Sequence, residues 1–567
     1  MRKAKIVGTL GPASNTVEMI EQLIEAGLNV ARVNMSHGTH ESHAQLIQNI
    51  RQASKNTNRE VAILIDLQGP KIRVDKLPSN LILEAGQEWV IGPSSTQEQY
   101  LKDFPQFKDR YIPTIYEKLV EDCHDGARIL FDDGLMTAQA IERQGSAYKI
   151  KVLVGGELKS NKGINLPDCE VSAPAFTSKD RADLLFALKH NIDYIALSFV
   201  RKAQDILEVK TLLHEFKMSI PIVSKIEKPQ AVDNLESIIE VTDVIMVARG
   251  DMGVEVGNHL VPSIQKKIIT MCNENKVPVI TATQMLESMT ENPTPTRAEA
   301  SDVANAIWDG TDAVMLSGET ASGKYPVMTI KMMGQIIEEA ERTPKERPFL
   351  RHIDLSSVNA SVMVAASMVA EKVHAKYILA FTESGQSCLK VSMFRPQTPV
   401  LGVTNSLRSA RKICLYWGVT SFLVHEFNED NPDLQQEVLA RVKKEKNLNN
   451  GDKLVITRGD GKFFNTGSSN SLKVEILHET SKVLGSSESM DAAEDHSKII
   501  HLDTNVCASC QNCVQVCPHG IWTTSKDDRK RTTINHNKIV DCQLDMLCVE
   551  KCPTGAIEII PKEFTES

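Results

Sequence analysis

Short apolar runs rich in β-branched residues alternate with amphipathic stretches along the first third and the middle of the chain. Each run ends in a polar or glycine-rich turn, and helical patterns such as residues 16–26, 178–190 and 262–275 follow. Eight such runs occur: AKIVGTLGP, LNVARVNMSHG, VAILIDLQGP, IDYIALSFVR, IPIVSKIEK, DVIMVARGDMGVE, VPVITATQML and TDAVMLSGETA. Eight strand–helix units predict a (β/α)8 barrel.

The pattern changes in two places, which predicts further domains. Between residues 71 and 165, shorter alternating strands with turn signals indicate an all-β insertion after strand three, so that the barrel comprises 1–70 and 166–348. A new α/β pattern predicts a C-terminal domain over 349–480, with strands at YILAF, PVLGV and KLVIT. Residues 481–499, which include the polar stretch GSSESMDAAEDHS, are interpreted as a linker before a cysteine-rich module over 500–567.

Composition excludes several classes of protein. The chain has 567 residues, 41% of them hydrophobic and 24% charged, which is typical of a globular protein with several domains. A formal net charge of −9 argues against a nucleic-acid binder. No apolar segment approaches the roughly 20 residues that span a bilayer, and the N-terminal one is too short for a signal peptide. We therefore expect a cytoplasmic protein without a nucleic-acid or membrane partner.

Polar residues lie where the predicted barrel strands end, and the chemistry of such barrels is found at that edge. Any single one of them is most simply solvated or paired, but six strands with polar residues at one edge predict a site. They are Arg32, Asn34 and Ser36, which share one face of strand two; Asp66 of strand three; Lys225 and Glu227 of strand five; Arg249, Gly250 and Asp251 after strand six; Thr283 after strand seven; and Ser317, Gly318 and Glu319 after strand eight.

The types of these residues indicate a reaction. Glu227 and Asp251 supply the hard oxygen ligands that suit Mg²⁺ or Mn²⁺, and the neighbouring lysine and arginine suit an anionic substrate. A helix that begins near Gly250 would present free N–H groups to a carboxylate or phosphate. Phosphoryl transfer needs this combination of positioning and charge neutralisation.

Several segments resemble those of the pyruvate kinase family, in that family's order: ARVNMSHG, SNKGINLP, SKIEK, ARGDMGVE, TATQMLESM and PTRAEASDVANAIWDGTDAVMLSGETASGKYP. The resemblance covers roughly residues 1–480. It implies an α/β fold in which a (β/α)8 TIM barrel carries an inserted β-barrel lid and a C-terminal α/β domain. It also implies phosphoryl transfer between phosphoenolpyruvate and ADP with Mg²⁺, in an enzyme that is typically a homotetramer.

The resemblance assigns roles on the substrate side of the site. Lys225 would stabilise the charge on the phosphoryl group in flight, Arg32 would contact that group, and Glu227 and Asp251 would hold the metal. The substrate carboxylate would be positioned by Gly250, Asp251 and Thr283. Thr283 and Ser317 are candidates for delivering a proton to the enolate through water.

Other residues are assigned to the nucleotide and to a monovalent cation. The nucleotide side would comprise Asn34, Ser36, His37, Arg73 and the lid residue Lys162. Members of the family that require K⁺ hold it near residues matching Asn34, Ser36 and Asp66, and carry a glutamate where this chain has Lys71. Because a tethered ammonium can replace the free cation, we expect a K⁺-independent enzyme; otherwise Lys71 is a solvated hinge lysine.

In the C-terminal domain, the loop TESGQS follows a predicted strand and can open a helix. Its groups could hold the phosphate of an allosteric effector, with contacts from Thr382, Ser384, Gly385 and Ser387. The alternative is a plain helix cap.

Seven of the twelve cysteines lie after residue 500, in the spacing of a bacterial two-cluster ferredoxin. Cluster one would use Cys507, Cys510, Cys513 and Cys552, and cluster two Cys517, Cys542 and Cys548. Asp545 stands where the second run lacks a cysteine, so cluster two is either 4Fe–4S with an aspartate ligand or 3Fe–4S. Zinc is the main rival. We expect a small α+β ferredoxin-like domain that acts as a redox sensor, as an electron carrier with a redox partner, or as an inert module.

Overall fold

The structure is a computed structural model. It describes residues 2–343, 357–424, 434–459 and 469–477, followed by five strands within 490–561. The chain forms two compact units, Met1–Leu477 and His478–Ser567.

The barrel begins with three strands and two helices. Helix α1 buries Ile20, Leu23 and Ile24 at helical spacing; it is capped by the Thr16 side chain and ends at Gly27, whose φ of 120° suits glycine. The elements are β1 (Lys5–Thr9), α1 (Val17–Ala26), β2 (Val30–Asn34), α2 (His40–Asn56) and β3 (Ala62–Asp66).

The lid follows β3, as expected. Its elements are β4 (Leu81–Leu83), β5 (Glu88–Pro93), α3 (Gln97–Asp103), β6 (Tyr111–Thr114), α4 (Leu119–Asp122), β7 (Arg128–Phe131), β8 (Met136–Gln144), β9 (Ala147–Val154), β10 (Gly156–Leu158) and β11 (Ile164–Asn165). Six strands form one sheet in the order β11-β7-β8-β9-β5-β6, and β4 pairs with β10. Single bridges from Arg73 to Gly163 and from Val74 to Thr114 join the two edges of that sheet into a small barrel.

The remaining elements complete the large barrel. They are α5 (Ser178–Ala187), β12 (Tyr194–Leu197), α6 (Ala203–Glu215), β13 (Ile222–Ile226), α7 (Pro229–Asp233), α8 (Leu235–Val241), β14 (Val244–Ala248), α9 (Arg249–Val256), α10 (Val261–Glu274), β15 (Val279–Ala282), α11 (Arg297–Asp309), β16 (Ala313–Leu316), α12 (Gly318–Ala321) and α13 (Pro326–Arg342). The eight parallel strands close in the order β1-β16-β15-β14-β13-β12-β3-β2, which confirms the predicted barrel.

The barrel interior is filled by buried side chains such as Val7, Leu64, Val223, Met246 and Ile280. Alternate residues of the same strands face outward and pack against the helices. Since the interior is solid, chemistry is confined to the rims.

The C-terminal domain is a five-stranded sheet in the order β19-β18-β17-β20-β21. Its elements are α14 (Val358–Lys372), β17 (Tyr377–Phe381), α15 (Gln386–Met393), β18 (Val400–Thr404), α16 (Leu407–Lys412), β19 (Val419–Leu423), α17 (Leu434–Glu445), β20 (Lys453–Gly459) and β21 (Ser469–Ile476). Strands β17, β18 and β20 match the three predicted runs, whereas β19 and β21 were not predicted.

In the second unit the structure describes strands β22 (Met490–Glu494), β23 (Lys498–Asp503), β24 (Trp522–Thr524), β25 (Thr532–Ile534) and β26 (Ile557–Pro561). The first, second and last form one antiparallel sheet in the order β22-β23-β26, and β24 pairs with β25. Residues 490–494, within the segment interpreted as a linker, are therefore part of this unit, because their backbone groups pair with β23. The seven terminal cysteines and Asp545 lie outside the described residues.

Candidate active site at the mouth of the barrel

A buried cluster of charges lies at the C-terminal ends of β2, β3 and β13. Lys225 Nζ is 3.1 Å from Glu227 Oε1 and 3.4 Å from Asp66 Oδ1, and it donates to Ser198 Oγ at 2.7 Å. The other oxygen of Asp66 accepts from Arg32 Nε at 2.7 Å. Asp66 thus holds both cations at fixed positions beneath the mouth of the barrel.

The electrostatics of this cluster keep its charges in place. Burial alone would lower the pKa of Lys225, but the carboxylates of Asp66 and Glu227 outweigh it and raise that pKa. Burial likewise favours neutral Asp66, yet Lys225 and Arg32 hold its pKa below the usual value. The lysine is therefore an ammonium at neutral pH.

Glu227 and Asp251 form the acidic part of the site. Burial raises the pKa of Glu227 to about 7, opposed by Lys225 and reinforced by the negative charge of Asp251. Glu227 Oε2 accepts from the Phe199 N–H at 2.7 Å, while Oε1 is buried without a hydrogen bond of good geometry. A divalent cation fits these carboxylates, because it would offset both the burial and the like-charge repulsion.

No group of three or more His, Cys, Asp and Glu side chains in the described part of the chain could hold a metal by itself. Mg²⁺ is commonly held by one or two carboxylates, with substrate oxygens and water completing its shell. The two carboxylates thus suit a metal shared with the substrate.

The turn after β15 has a strained backbone, and the side chain of Arg249 holds it in place. Thr283 and Gln284 have φ of 68° and 54°, which is unfavourable for a β-branched residue. Arg249 donates to the Thr283 carbonyl at 2.6 Å and is anchored by both carboxylate oxygens of Asp302 at 2.8 and 2.7 Å. Strain at a turn fixed in this way indicates a functional constraint.

The Thr283 hydroxyl accepts from the Gly250 N–H at 2.7 Å and donates to the Ala282 carbonyl at 2.6 Å. The Gly250 N–H expected to be free for a substrate carboxylate is therefore occupied in this structure, because α9 begins directly against the Thr283 turn. The Ser317 hydroxyl, after β16, is buried without a hydrogen-bond partner.

The residues assigned to the nucleotide fall into two groups. Asn34 ends β2, and its side chain accepts from the Ser36 N–H at 3.1 Å. Ser36 lies beyond the strand rather than on its face, since the strand ends two residues earlier, and His37 is exposed in the same turn. Arg73 and Lys162 belong to the lid.

In the lid, Arg73 donates to the Asn161 carbonyl at 2.9 Å, and Lys162 pairs with Asp132 at 2.8 Å. Lys71 lines the cleft between the lid and the barrel mouth together with Asp133 and Asp251. Asp66 forms its ion pairs with Arg32 and Lys225 rather than with Lys71.

The chain is similar to known proteins along most of its length. Models described as the pyruvate kinase barrel domain and the pyruvate kinase alpha/beta domain match residues 1–330 and 360–475. The chain is 43% identical to a pyruvate kinase of Staphylococcus aureus (strain MRSA252) and 42% identical to one of Staphylococcus epidermidis (strain ATCC 12228), in each case over 84% of this chain and 81% of the relative.

The chain belongs to the pyruvate kinase family.

A crystal structure of a pyruvate kinase from Cryptosporidium parvum superposes with a TM-score of 0.77 at 34% identity, covering 84% of this chain and 96% of that one. A further model, described as a 4Fe-4S dicluster domain, matches residues 506–557. The pyruvate kinase part thus continues into an iron–sulfur module.

Several residues of the site were not predicted from the sequence. Ser198 follows β12 and bonds Lys225, and Phe199, with a φ of 54°, turns its N–H toward Glu227. Glu255 Oε1 accepts from Lys228 Nζ at 2.5 Å and from the lid residue Asn165 at 2.7 Å. Ser198 could have been predicted, because a polar residue at the end of an apolar strand suggests a site residue. The contacts of Glu255 could not have been predicted, because they join segments that are distant in the sequence.

The predicted effector loop is built as a helix start. The Gly385 N–H donates to Thr382 Oγ1 at 2.9 Å, and Gly385 has a φ of 84° directly before α15. Ser384 and Ser387 are partly exposed beside it.

None of the helices that the structure describes is both long and apolar enough to cross a membrane.

Proposed function

We propose that the barrel mouth transfers a phosphoryl group from phosphoenolpyruvate to ADP, which gives pyruvate and ATP. The observation that carries the proposal is the Lys225 ammonium, held between Asp66 and Glu227 at the end of β13. A positive charge fixed in this way needs no reorganisation when negative charge builds up on the group in transfer.

Each side chain has a part in this scheme. Arg32 is aimed by Asp66 and would bind the phosphoryl oxygens, while Lys225 stabilises their charge. Thr283, on its strained turn, would give up its bond to Gly250 so that both groups bind the substrate carboxylate. Positioning and charge neutralisation are the main requirements of the reaction.

Glu227 and Asp251 would hold Mg²⁺ or Mn²⁺. When bound, the ion supplies a Lewis acid for the substrate oxygens. Ser317, whose buried hydroxyl lacks a partner, and Thr283 are the groups we propose for passing a proton through water to the enolate carbon.

The nucleotide would lie between the turn after β2 and the lid, bound by Asn34, Ser36, His37, Arg73 and Lys162. Two of these are cationic groups of the lid, so closing the lid would bring positive charge toward the polyphosphate.

A coupled assay for pyruvate formation from phosphoenolpyruvate, ADP and Mg²⁺ tests the proposal. We expect activity in the wild type and roughly 10²–10³-fold lower kcat in Lys225→Met, the range for removal of one charge-stabilising group. Lys189→Met, an exposed lysine of the same barrel, should keep full activity. A wild type without turnover, or equal losses in the two variants, would refute the proposal.

We also propose that the enzyme needs no K⁺ because Lys71 supplies the positive charge near Asn34, Ser36 and Asp66. Lys71 lies in the cleft between the lid and the barrel mouth. This location supports the proposal, since lid movement could carry the lysine side chain toward the predicted cation pocket. Lys71→Glu should become K⁺-dependent, whereas Lys76→Glu, the same charge change at an exposed position, should not. Strong K⁺ activation of the wild type would contradict the idea.

The C-terminal domain would bind a phosphorylated effector at Thr382, Ser384, Gly385 and Ser387, because the loop offers hydroxyl groups at the start of a helix. A titration of sugar phosphates and AMP against the initial rate tests this. By analogy with the family we further propose a homotetramer that acts in the cytoplasm, where its substrates are.

The iron–sulfur module would carry two clusters. One complete cysteine set is present in the sequence, and the second has Asp545 in place of a cysteine. We propose a redox role, because iron–sulfur clusters have reduction potentials, which the ligands and surroundings of each cluster set. Kinase rates with clusters intact, reduced and destroyed distinguish a sensor that acts on the kinase from an independent electron carrier.

A further inference from the structure

Two cysteines of the lid region lie together where the chain returns to the barrel. Cys123 follows helix α4, and Cys169 lies in the connecting segment, which we define as residues 166–173. Both are buried in the apolar cluster of the lid, with exposures of 6% and 3%. The two thiols lie close enough for each to shift the pKa of the other.

The neighbouring residues hold these two thiols side by side. His124 Nε2 is 3.0 Å from the Asp168 carbonyl, so the residues next to each cysteine are directly joined. Arg128 clamps the Asp168 carboxylate through its backbone N–H at 3.0 Å and its guanidinium at 3.0 and 2.8 Å. The chain is thus fixed on both sides of the pair.

The connecting segment is also tied to the barrel. The carbonyls of Val171 and Ala173 accept from the guanidinium of Arg201, which follows β12. On the lid side, the Ser172 N–H donates to Asp122 at 2.8 Å. Any movement of the lid against the barrel must therefore rearrange this segment.

We propose that Cys123 and Cys169 form a redox-active dithiol that a small hydroperoxide oxidises to a disulfide, which locks the connecting segment to the lid. The burial of both sulfurs favours an oxidant of this size, because a bulky disulfide such as oxidised glutathione could not reach them.

The local chemistry suits this reaction. The neighbouring Cys123 thiol lowers the pKa of Cys169, burial opposes it, and His124 adds to the lowering. Cys169 and burial raise the pKa of Cys123. Cys169 is therefore the nucleophile, since the thiolate is the reactive form.

The Cys169 thiolate attacks one peroxide oxygen, the O–O bond breaks, and the hydroxide that leaves takes up a proton to become water. The sulfenic acid formed on Cys169 is then attacked by the sulfur of Cys123. The S–O bond breaks, the S–S bond forms, and the Cys123 proton leaves in a second water. Two thiols lose two electrons, and the peroxide gains them.

The test uses the full chain, reduced and then treated with hydrogen peroxide. After alkylation and digestion, mass spectrometry should find the peptides of Cys123 and Cys169 linked, and dithiothreitol should release them. Because lid movements often limit turnover, we expect the oxidised enzyme to show ~10-fold lower kcat, restored on reduction.

Cys169→Ser and Cys123→Ala should form no such link and keep their kcat under peroxide. Cys272→Ser removes a buried cysteine of the barrel and should behave as the wild type. All variants carry the same iron–sulfur module. If peroxide lowered kcat equally in every variant, the loss would not depend on the disulfide, and the proposed locking of the lid would be overturned. Two fully alkylated cysteines in the peroxide-treated wild type would overturn the dithiol.

Discussion

Arg395 of the C-terminal domain and Asp312 of the barrel form an ion pair at 2.7 Å in which the side chains are only 4% and 0% exposed. The same guanidinium donates to Asn273 Oδ1 at 3.0 Å and to the Gly310 carbonyl at 2.8 Å. Asp312 precedes β16, so Arg395, two residues after the end of helix α15, is bound to the base of a strand whose far end carries Ser317. This is a direct physical link between the two domains.

Replacing Arg395 should destabilise the protein strongly. Arg395→Met would leave Asp312 buried and unpaired, a change that costs about 3–5 kcal/mol of unfolding free energy. Arg441→Met removes the arginine of an exposed pair with Glu445 and should cost at most ~1 kcal/mol. Urea denaturation followed by circular dichroism compares them; similar shifts of the two midpoints would contradict the assignment.

Asp66→Asn should change the pH dependence of the enzyme. Without the Asp66 charge, burial acts on Lys225 with less opposition, so the pKa of the lysine falls. In the proposed mechanism the active form of Lys225 is the ammonium, so kcat/KM should decline on the alkaline side at a lower pH than in the wild type.

The matched control is Asp193→Asn, a buried aspartate paired with Arg51 at the opposite end of the barrel. It should leave the shape of the pH profile unchanged. An unaltered alkaline limb in Asp66→Asn would show that Asp66 does not set the charge of Lys225.

Arg249→Lys should impair substrate binding without unfolding the barrel. A lysine cannot bridge Thr283 and the two oxygens of Asp302 at once, so the strained turn would relax. Loss of a charge-assisted hydrogen bond of about 1.5–3 kcal/mol corresponds to roughly 10–150-fold in kcat/KM for phosphoenolpyruvate, mostly through KM. Arg51→Lys, at the other end of the barrel, should keep normal kinetics.

Asp545→Cys should complete the ligands of the second cluster. In the wild type a mild oxidant should remove one iron and produce the electron paramagnetic resonance signal of a 3Fe–4S cluster, because a carboxylate is the weakest ligand of the set. The cysteine variant should resist this loss. Asp541→Cys adds a thiol out of register and should behave as the wild type; equal iron loss from all three would refute the ligand assignment.

The sequence predicted elements whose pattern is local. The eight barrel strands are continuous apolar runs, and Lys225, Glu227 and Thr283 lie at their ends where periodicity places them. Strand β21 was not predicted because polar residues outnumber its apolar ones, and it lies at the edge of its sheet. Strand β22 was not predicted because its composition resembles that of a linker. Such strands depend on a partner strand more than on their own composition.

Contacts between distant segments could not be predicted from the sequence either. The bond from Gly250 to the Thr283 hydroxyl and the bridge from Asn165 to Glu255 each join residues from separate elements. Neither has a spacing that a linear pattern could reveal. Polar types could be assigned to the mouth of the barrel, but their partners required the fold.

The position of the lid has a consequence for how the barrel assembles. Strands β3 and β12 are neighbours, with Leu64 opposite Tyr194, yet the whole lid separates them in the chain. Once the lid has folded, the Ile164 N–H lies 2.9 Å from the Ile72 carbonyl, so the two ends of the insertion are already side by side. A long, entropically unfavourable loop closure becomes a shorter one, so a folded lid favours the pairing of β3 with β12.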